Sequence, residues 1–263
     1  METKQNLLEY RNVDIHYGNR KIIQDFSIQM KPGEILGIVG ESGSGKSTVI
    51  RAAMGLLGDG GKVSGGEILY CGTDMTKISG EQLRQLRGPE LGMIFQNAGA
   101  SLCPIRTIEE QLYESVLQHE NISKQEIRER ALQLFEQLRF TNGEQILKSY
   151  PFEFSGGMNQ RVGIVLAMVL RPRLLLADEP TSALDVTVQA QVIKEMMKLR
   201  EVYGTGIAIV THNISVVNYM ADKVAVMHQG KLVEYGSKDE VLHHPQEAYT
   251  KRLIGSVLRL KRR

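Results

Sequence analysis

The stretch from Ile35 to Thr48 places the strongest constraint on how this chain can fold. An apolar run typical of a strand ends at Gly40, and a turn rich in glycine and serine leads to a predicted helix start at Lys46. The spacing from Gly40 to Ser47 is G-x-x-x-x-G-K-S, the pattern of a phosphate-binding loop. Glycines permit positive φ angles, so successive N–H groups can surround an anion at the positive end of the following helix. The sequence therefore predicts a nucleoside triphosphate site.

We expect the whole loop to contact this nucleotide. Lys46 supplies a mobile positive charge for the outer phosphates, and the Ser47 hydroxyl can ligate Mg²⁺. The alternative is a flexible turn between a buried strand and a helix, which the fixed spacing in a strand–loop–helix context disfavours. The predicted loop contacts are Gly40, Ser42, Gly43, Ser44, Gly45, Lys46, Ser47 and Thr48.

The composition is that of an ordinary intracellular globular protein. The 263 residues suit one large α/β domain or two smaller ones, and a net charge of +2 gives no reason to expect a nucleic-acid partner. The two cysteines, Cys71 and Cys103, lack metal-ligand spacing and suit a reducing cytosol. The amino-terminal residues 1–6 do not resemble a secretion signal, and no apolar run is long enough to span a membrane. We therefore expect a membrane role only through a partner.

The chain opens with two predicted antiparallel strands. Alternating apolar residues predict a half-buried strand over 8–17, and a turn at Gly18-Asn19 leads to a second strand over 22–30. Tyr17 ends the first strand, where its ring could stack on a nucleotide base. A tyrosine simply packed at a strand end is the alternative, and the pattern leaves both open.

A helix over 48–57, a short strand over 67–70 and a buried strand ending at Gln96 are predicted after the phosphate loop.

The segment that follows, from about 97 to 170, is predicted to be mostly helical, with a capping box that begins at Ser123. We interpret this segment as a helical insertion in an α/β core. Within it, Ser155-Gly156-Gly157 precedes an apolar helix and predicts a second anion site, although many helices begin with Ser-Gly.

Two acidic residues follow a run of apolar residues over 174–177. Such a run predicts a fully buried parallel strand whose carboxyl end reaches the site. Asp178 can hold Mg²⁺, and Glu179 can orient or deprotonate a water that attacks the γ-phosphate. Two solvated acids at a strand end are the alternative. A helix beginning at Ser182–Asp185 and closed by Gly204 comes next.

Residues 207–212 predict another buried strand, which begins with the apolar residues 207–210 and ends at His212. A single histidine is more often a structural hydrogen-bonding residue than a catalytic one. A position at the carboxyl end of a core strand, where open α/β sheets bind ligands, favours a functional role here.

The order of these motifs resembles that of ABC transporter ATP-binding subunits over essentially the full chain. The resemblance implies an α/β P-loop NTPase fold with a mainly parallel sheet, an antiparallel β subdomain and a helical subdomain. Residues 1–263 would form one ABC ATPase domain, with core and antiparallel β subdomain in 1–96 and 171–263 and the helical subdomain in 97–170. The matches are Gly40–Ser47 to Walker A, Leu174–Asp178 to Walker B, Glu179 to the catalytic glutamate, Gln96 to the Q-loop, Ser155-Gly156-Gly157 to the signature, Ser182–Asp185 to the D-loop, His212 to the switch histidine and Tyr17 to the A-loop.

The resemblance also implies a mechanism and partners. Two ATPase subunits would bind ATP between the Walker A loop of one and the signature of the other. Glu179 would polarise water, His212 would position the γ-phosphate, and Mg²⁺ would lie among Ser47, Gln96 and Asp178. The expected partners are a second ATPase chain, two transmembrane permease subunits and, indirectly, an extracytoplasmic solute-binding protein, with no nucleic acid. The chain would lie peripherally on the cytoplasmic face of the membrane.

Several segments are similar to the peptide/nickel importer subfamily. These are Tyr150–Met158 before and within the signature, and His243-His244-Pro245 with Tyr249-Thr250 near the end. The signature departs from the commonest form in having Met158 directly after the glycines. The subfamily's usual Ser-Leu-Asn-Pro has a cysteine in the third position here, at 101–104. The end of the sequence soon after Thr250 favours nickel or metallophore members over peptide members.

Two alternatives from other classes remain. A soluble ABC protein acting on ribosomes or DNA usually joins two cassettes or carries a long coiled coil, and this sequence has neither. A small-molecule kinase with a phosphate loop would not need the Ser155-Gly156-Gly157 motif or His212.

Overall fold

The computed structural model describes residues 5–260 of the chain and separates into two compact units. The first unit comprises Met1–Leu83 and Gly206–Arg263, and the second comprises Arg84–Thr205. Residues 1–4, which belong to the amino-terminal segment predicted not to be a secretion signal, lie outside the described residues. The subdomain boundaries expected from the sequence remain a prediction.

Most strands belong to the first unit, where they are ordered β5-β4-β1-β2-β10-β9-β3-β8. The strands are β1 Leu8–Tyr17, β2 Arg20–Met30, β3 Ile35–Val39, β4 Gly61–Tyr70, β5 Thr73–Asp74, β8 Gly206–Val210, β9 Lys223–His228 and β10 Lys231–Ser237. The helices of this unit are α1 Lys46–Ala53, α9 Ile214–Met220, α10 Lys238–His243 and α11 Ala248–Leu260, while α2 Gly80–Leu86 spans the boundary.

The opening strands pair as the alternating pattern predicts. β1 pairs antiparallel with β2 and, on its other side, with β4. The rings of Tyr10 and Phe26 meet edge to face at 5.3 Å on the buried side. Strand β4 begins earlier than the predicted 67–70, because its glycine-rich first half also pairs with β1. Gly66 permits this at a bulge, where its φ is 76° and an added Cβ would lie 2.3 Å from the Arg11 carbonyl oxygen.

The strand before the phosphate loop lies inside the sheet. β3 is fully buried and pairs in parallel with β8 on one side and β9 on the other. Helix α9 packs against β3 at Gly37, where an added Cβ would lie 2.6 Å from Val217 Cγ1. Helix α1 ends at Ala53, four residues before the predicted end at Leu57, in a turn stabilised by hydrogen bonds to Arg51 and Ala52 carbonyls.

The second unit contains two parallel strands and most of the helices. Its strands are β6 Leu91–Ile94 and β7 Leu174–Asp178. The helices are α3 Ala98–Ser101, α4 Ile108–Leu117, α5 Lys124–Gln137, α6 Gly143–Lys148, a 3₁₀ turn at Pro151–Glu153, α7 Gly156–Met168 and α8 Val186–Tyr203. Helices α4 and α5 begin with capping boxes at Thr107 and Ser123, as expected for Ser123.

The second unit has its own apolar core, which explains why its helical pattern is so regular. Buried leucines and valines of α4, α5 and α7 form much of it, including Leu112, Leu134 and Val162. The helix predicted to begin at Ser182 instead begins at Val186, because Ser182 closes a turn onto the Glu179 carbonyl and Ala183 has a φ of 58°. Within residues 5–260, no helix combines the length and hydropathy that crossing a membrane requires.

Candidate nucleotide-binding site

The phosphate loop of the first unit is shaped by close contacts that only glycine allows. Gly40 has a φ of 152°, and an added Cβ would lie 2.1 Å from the Met227 carbonyl oxygen. Gly45 has a φ of 97°, and its Cβ would lie 2.4 Å from Ile23 Cδ1. The Gly230 N–H donates to the Ser44 carbonyl at 3.1 Å. The loop is therefore held on its outer side by β2 and the β9–β10 turn.

The inner side of this loop has the groups that a phosphate needs. Gly45 is the N-cap of α1 and has no side chain that could cap the helix, and the N-terminus of a helix attracts an anion. Lys46 is buried, with 4% exposure, and its ammonium donates to the Gly40 and Glu41 carbonyl oxygens at 2.9 and 2.8 Å. Ser44 Oγ is buried and has no hydrogen-bond partner among the described residues. These features fit the phosphates of ATP.

His212 lies at the same sheet edge as the phosphate loop. Ile38 of β3 pairs with Val210 of β8, and the Thr211 N–H donates to the Ile38 carbonyl at 3.1 Å. Gly40 and His212 each follow this pair by two residues along parallel strands. The structure thus brings the loop and the histidine to neighbouring positions at the carboxyl ends of two adjacent strands. The functional role of His212 remains a prediction.

Tyr17 lies at the end of β1, and its hydroxyl donates to the Leu57 carbonyl at 2.6 Å. Its ring is half-buried against Gly61, where an added Cβ would lie 2.9 Å from Tyr17 Cε1. These contacts anchor the ring to the segment after α1. Stacking of this ring on a base remains a prediction.

Gln96, Asp178 and Glu179 lie at one strand edge of the second unit. Ile94 of β6 pairs with Ala177 of β7, and the strands are parallel. The polar residues that follow this pair therefore lie at the same edge of the two strands. The Asp178 side chain is fully buried, whereas Glu179 is half-buried with a φ of 47°. A non-glycine residue in this left-handed region is strained, and such strain is frequent at functional sites.

The Ser155-Gly156-Gly157 motif forms the exposed start of α7. Ser155 is its N-cap, and its side chain accepts a hydrogen bond from the Met158 N–H at 3.3 Å. Nothing lies within 4 Å of a Cβ added at Gly156. Gly157 contacts the start of α8, since its added Cβ would lie 2.8 Å from Val188 Cγ1.

Asp185 caps the same helix α8. Its carboxylate accepts a hydrogen bond from the Val188 N–H at 3.0 Å. Since Val188 is also the residue that Gly157 contacts, the signature and D-loop segments lie next to each other in the second unit.

Gln160 joins the signature helix to the segment around Gln96. This role of Gln160 was not predicted from the sequence. Its Nε2 donates to the Phe95 carbonyl at 3.1 Å, and its Oε1 accepts from the Ala98 N–H at 3.2 Å. The side chain is 3% exposed. A buried amide with both ends hydrogen-bonded holds the backbone on each side of Gln96 in place. A polar residue within an apolar helix is the signal that could have revealed it.

An ion pair joins α7 to α8. Arg161 Nε donates to Glu195 Oε1 at 2.6 Å, and the Arg161 guanidinium also lies 3.9 Å from the centre of the Phe140 ring. Burial raises the pKa of the Glu195 carboxyl, while Gln191 and Arg161 act in the opposite direction. Since α7 begins at the signature and α8 at the D-loop, this pair fixes the two segments relative to each other.

The family model described as "ABC transporter" matches residues 23–182, which is more than half of the chain. The chain belongs to the ABC transporter family. The resemblance inferred from the motifs is therefore confirmed, and so are the fold class and the ATPase activity.

Relatives of this ABC protein include named peptide-transport subunits. The dipeptide transport ATP-binding protein DppD of Lactococcus lactis subsp. cremoris (strain MG1363) is 39% identical over 97% of this chain and 74% of the relative. The oligopeptide transport ATP-binding protein AppD of Bacillus subtilis (strain 168) is 41% identical over 95% of this chain and 78% of the relative. These matches support the peptide-importer branch of the family.

Solved structures of ABC proteins have the same fold. CbiO1 from Clostridium perfringens, part of the ABC transporter complex CbiONQ, has a TM-score of 0.80 and 26% identity over 98% of this chain and 97% of that one. A dimeric ATP-binding cassette in a post-hydrolysis state, bound to ADP and Pi, has a TM-score of 0.77 and 26% identity over 88% of this chain and 98% of that one. Family membership thus implies that this ATPase works within a transporter complex.

Proposed function

We propose that this chain powers a peptide importer by binding ATP between its phosphate loop and the signature motif of a second ATPase subunit. The observation that supports this most directly is that Ser155 and Gly156 are exposed at the start of α7. An exposed helix N-terminus with open space at its glycine suits contact with a phosphate held by another chain. The similar cassette solved with ADP and Pi is itself a dimer.

In this proposal the residues of each chain have separate roles in ATP binding and hydrolysis. Lys46 and the amides of α1 bind the phosphates, and Glu179 polarises the attacking water. His212, two residues beyond the strand next to β3, contacts the γ-phosphate. The signature of the partner adds charge-assisted hydrogen bonds of about 1.5–3 kcal/mol each to the closed state. Bonds made only in that state would drive the conformational change.

Mg²⁺ is the metal that suits the proposed ligands. The hydroxyl of Ser47, the amide oxygen of Gln96 and the carboxylate of Asp178 are the hard oxygen donors that Mg²⁺ prefers. When bound, the ion would neutralise charge on the phosphates. These three residues remain predicted ligands.

We infer that the transported solute is a peptide, because the similar proteins named above are dipeptide and oligopeptide transport subunits. Nickel or a metallophore is the alternative solute, and these relatives do not support it. The proposed partners are a second and different ATPase, two permease subunits near the segment after Gln96, and indirectly a solute-binding protein. The chain would lie on the cytoplasmic face of the membrane.

Ser155→Arg tests the shared site, because a bulky cation at the start of α7 would block a partner's nucleotide. We expect ATPase activity of the assembled transporter to fall at least about tenfold, while ATP binding by the isolated chain stays unchanged. Ser123→Arg is the matched control, since Ser123 is an exposed N-cap serine of the same unit. An equal loss of ATP binding by the isolated Ser155→Arg chain would contradict the shared site.

Reconstituted transporter separates the possible functions. Stimulation of inorganic phosphate release by short peptides, and not by nickel or nickel complexes, would support peptide import. Formation of a phosphorylated small molecule would identify a kinase, and failure to copurify with permease subunits would favour a soluble ABC protein.

A further inference from the structure

The residues Tyr249 and Thr250, noticed in the sequence only as a subfamily marker, lie beside the phosphate loop. Tyr249 is in the first turn of α11, far along the chain from the loop. Its hydroxyl oxygen accepts a hydrogen bond from the Glu41 N–H at 3.3 Å, a contact between residues 208 positions apart. Glu41 is the second residue of the loop.

The Tyr249 ring is held in place by its surroundings. It packs on the His228 ring with centroids 4.1 Å apart and an interplanar angle of 30°. The side chain is 9% exposed, and the neighbouring Thr250 is fully buried. Burial raises the pKa of the Tyr249 hydroxyl, with the Glu41 charge acting in the same direction and the Glu41 N–H and Arg252 in the opposite one. A ring packed in this way offers its oxygen to Glu41 from a fixed position.

The Glu41 residue connects Tyr249 to Lys46. Its N–H donates outward to Tyr249, while its carbonyl oxygen accepts inward from the Lys46 ammonium at 2.8 Å. The Glu41 N–H and the Gly40 carbonyl belong to one peptide group, and this carbonyl oxygen also accepts a hydrogen bond from Lys46, at 2.9 Å. A hydrogen bond to that N–H therefore fixes the peptide group whose oxygen receives Lys46.

We propose that Tyr249 is a positioning residue for ATP binding, which orients the Gly40–Glu41 peptide and through it the Lys46 ammonium. It does not touch the nucleotide and acts by keeping the loop in its binding-competent shape. The inference depends on ATP binding by this loop, but not on the pairing of two subunits or on the solute.

Tyr249→Phe in the full chain is the test, because it removes the hydroxyl and keeps the packed ring. We expect the Kd for ATP to rise about two- to tenfold, the effect of one lost hydrogen bond, with unchanged melting temperature. In the assembled transporter, KM for ATP should rise by the same factor while kcat changes less than about twofold, because the transition-state groups are untouched.

Tyr235→Phe is the matched control. The Tyr235 hydroxyl also hydrogen-bonds to the backbone of the first unit, at Gln29, but it has no contact with the loop. Equal ATP affinity of wild type and Tyr249→Phe, an equal loss in Tyr235→Phe, or a fall in kcat with unchanged KM would each overturn the inference. Absence of ATP binding by the wild-type chain would instead contradict the assignment of the loop itself.

Discussion

The phosphate loop and the signature motif are both serine- and glycine-rich segments at helix N-termini, yet the structure builds them in opposite ways. At the phosphate loop, the N-cap is Gly45 and has no capping side chain, and Lys46 is buried within the loop. At the signature, Ser155 caps its own helix, and Ser155 and Gly156 are exposed.

The difference concerns how much of the binding site each segment supplies. The phosphate loop is enclosed by its own unit, through Met227, Ile23 and Gly230, and presents amides together with a cation. The signature has no lysine and no enclosing contacts at Gly156. In the proposed function, the phosphate loop is therefore a nearly complete anion site, and the signature is a surface that contacts a nucleotide held by another chain.

Lys46→Ala should produce the largest effect, because it removes the buried cation that the signature lacks. We expect ATP affinity to fall by more than about 10²-fold and turnover to disappear, since a charge-assisted contact with the phosphates is lost. Isothermal calorimetry with ATP measures this. Lys31→Ala, at an exposed turn of the same unit, should bind ATP normally. Unchanged ATP affinity in Lys46→Ala would show that the buried lysine does not distinguish the phosphate loop from the signature in ATP binding.

Glu179→Gln should separate binding from chemistry. The neutral amide keeps the shape of the side chain but cannot accept a proton, so hydrolysis should slow by about 10²-fold or more with ATP binding retained. Phosphate release by the assembled transporter and ATP binding by the isolated chain provide the two measurements. Glu201→Gln, on the exposed side of α8, is the control. Normal hydrolysis by Glu179→Gln would exclude this residue as the base.

Much of the candidate site can be predicted from local sequence patterns. The Gly40–Ser47 spacing, the apolar runs before Asp178 and His212, and the Ser123 capping box depend on residues close together in sequence, which a single sequence records. Parallel pairing then explains why Gln96 and Glu179 reach one edge.

Contacts between distant residues could not be predicted in this way. The Met227 carbonyl against Gly40, the Gln160 amide across Gln96 and the Tyr249 hydroxyl at Glu41 depend on tertiary packing. The start of β4 was missed for the same reason, because glycines that predict a turn also permit a bulged strand when a partner strand is present.

Two glycine substitutions compare the enclosed and open segments directly. Gly40→Ala forces a methyl group against the Met227 carbonyl at a positive φ, so we expect a loss of at least about 2 kcal/mol in the free energy of unfolding. Gly156→Ala places a methyl group in open space within a helix and should change stability by less than about 1 kcal/mol. Chemical denaturation of both chains measures this, and equal losses would show that the two segments are equally enclosed.

The Gly156→Ala substitution also tests the function of the open segment. Gly156→Ala should leave ATP binding by the isolated chain unchanged and lower ATPase activity only in the assembled transporter, where its methyl group faces a partner's nucleotide. Full activity of Gly156→Ala in the assembly would mean that the open space at this glycine is not used.

Ser155→Ala should have only a small effect on the isolated chain. Loss of an N-cap hydroxyl costs about 1 kcal/mol, and Ser123→Ala, at the start of α5, should cost a similar amount. In the assembled transporter the two serines should differ, because only the Ser155 hydroxyl is expected to contact a nucleotide as well as its own helix. A several-fold lower ATPase activity of Ser155→Ala than of Ser123→Ala, at equal stability, would show that Ser155 serves more than its helix. Equal activities would leave it a capping residue, and the contrast with the phosphate loop would then be one of helix capping alone.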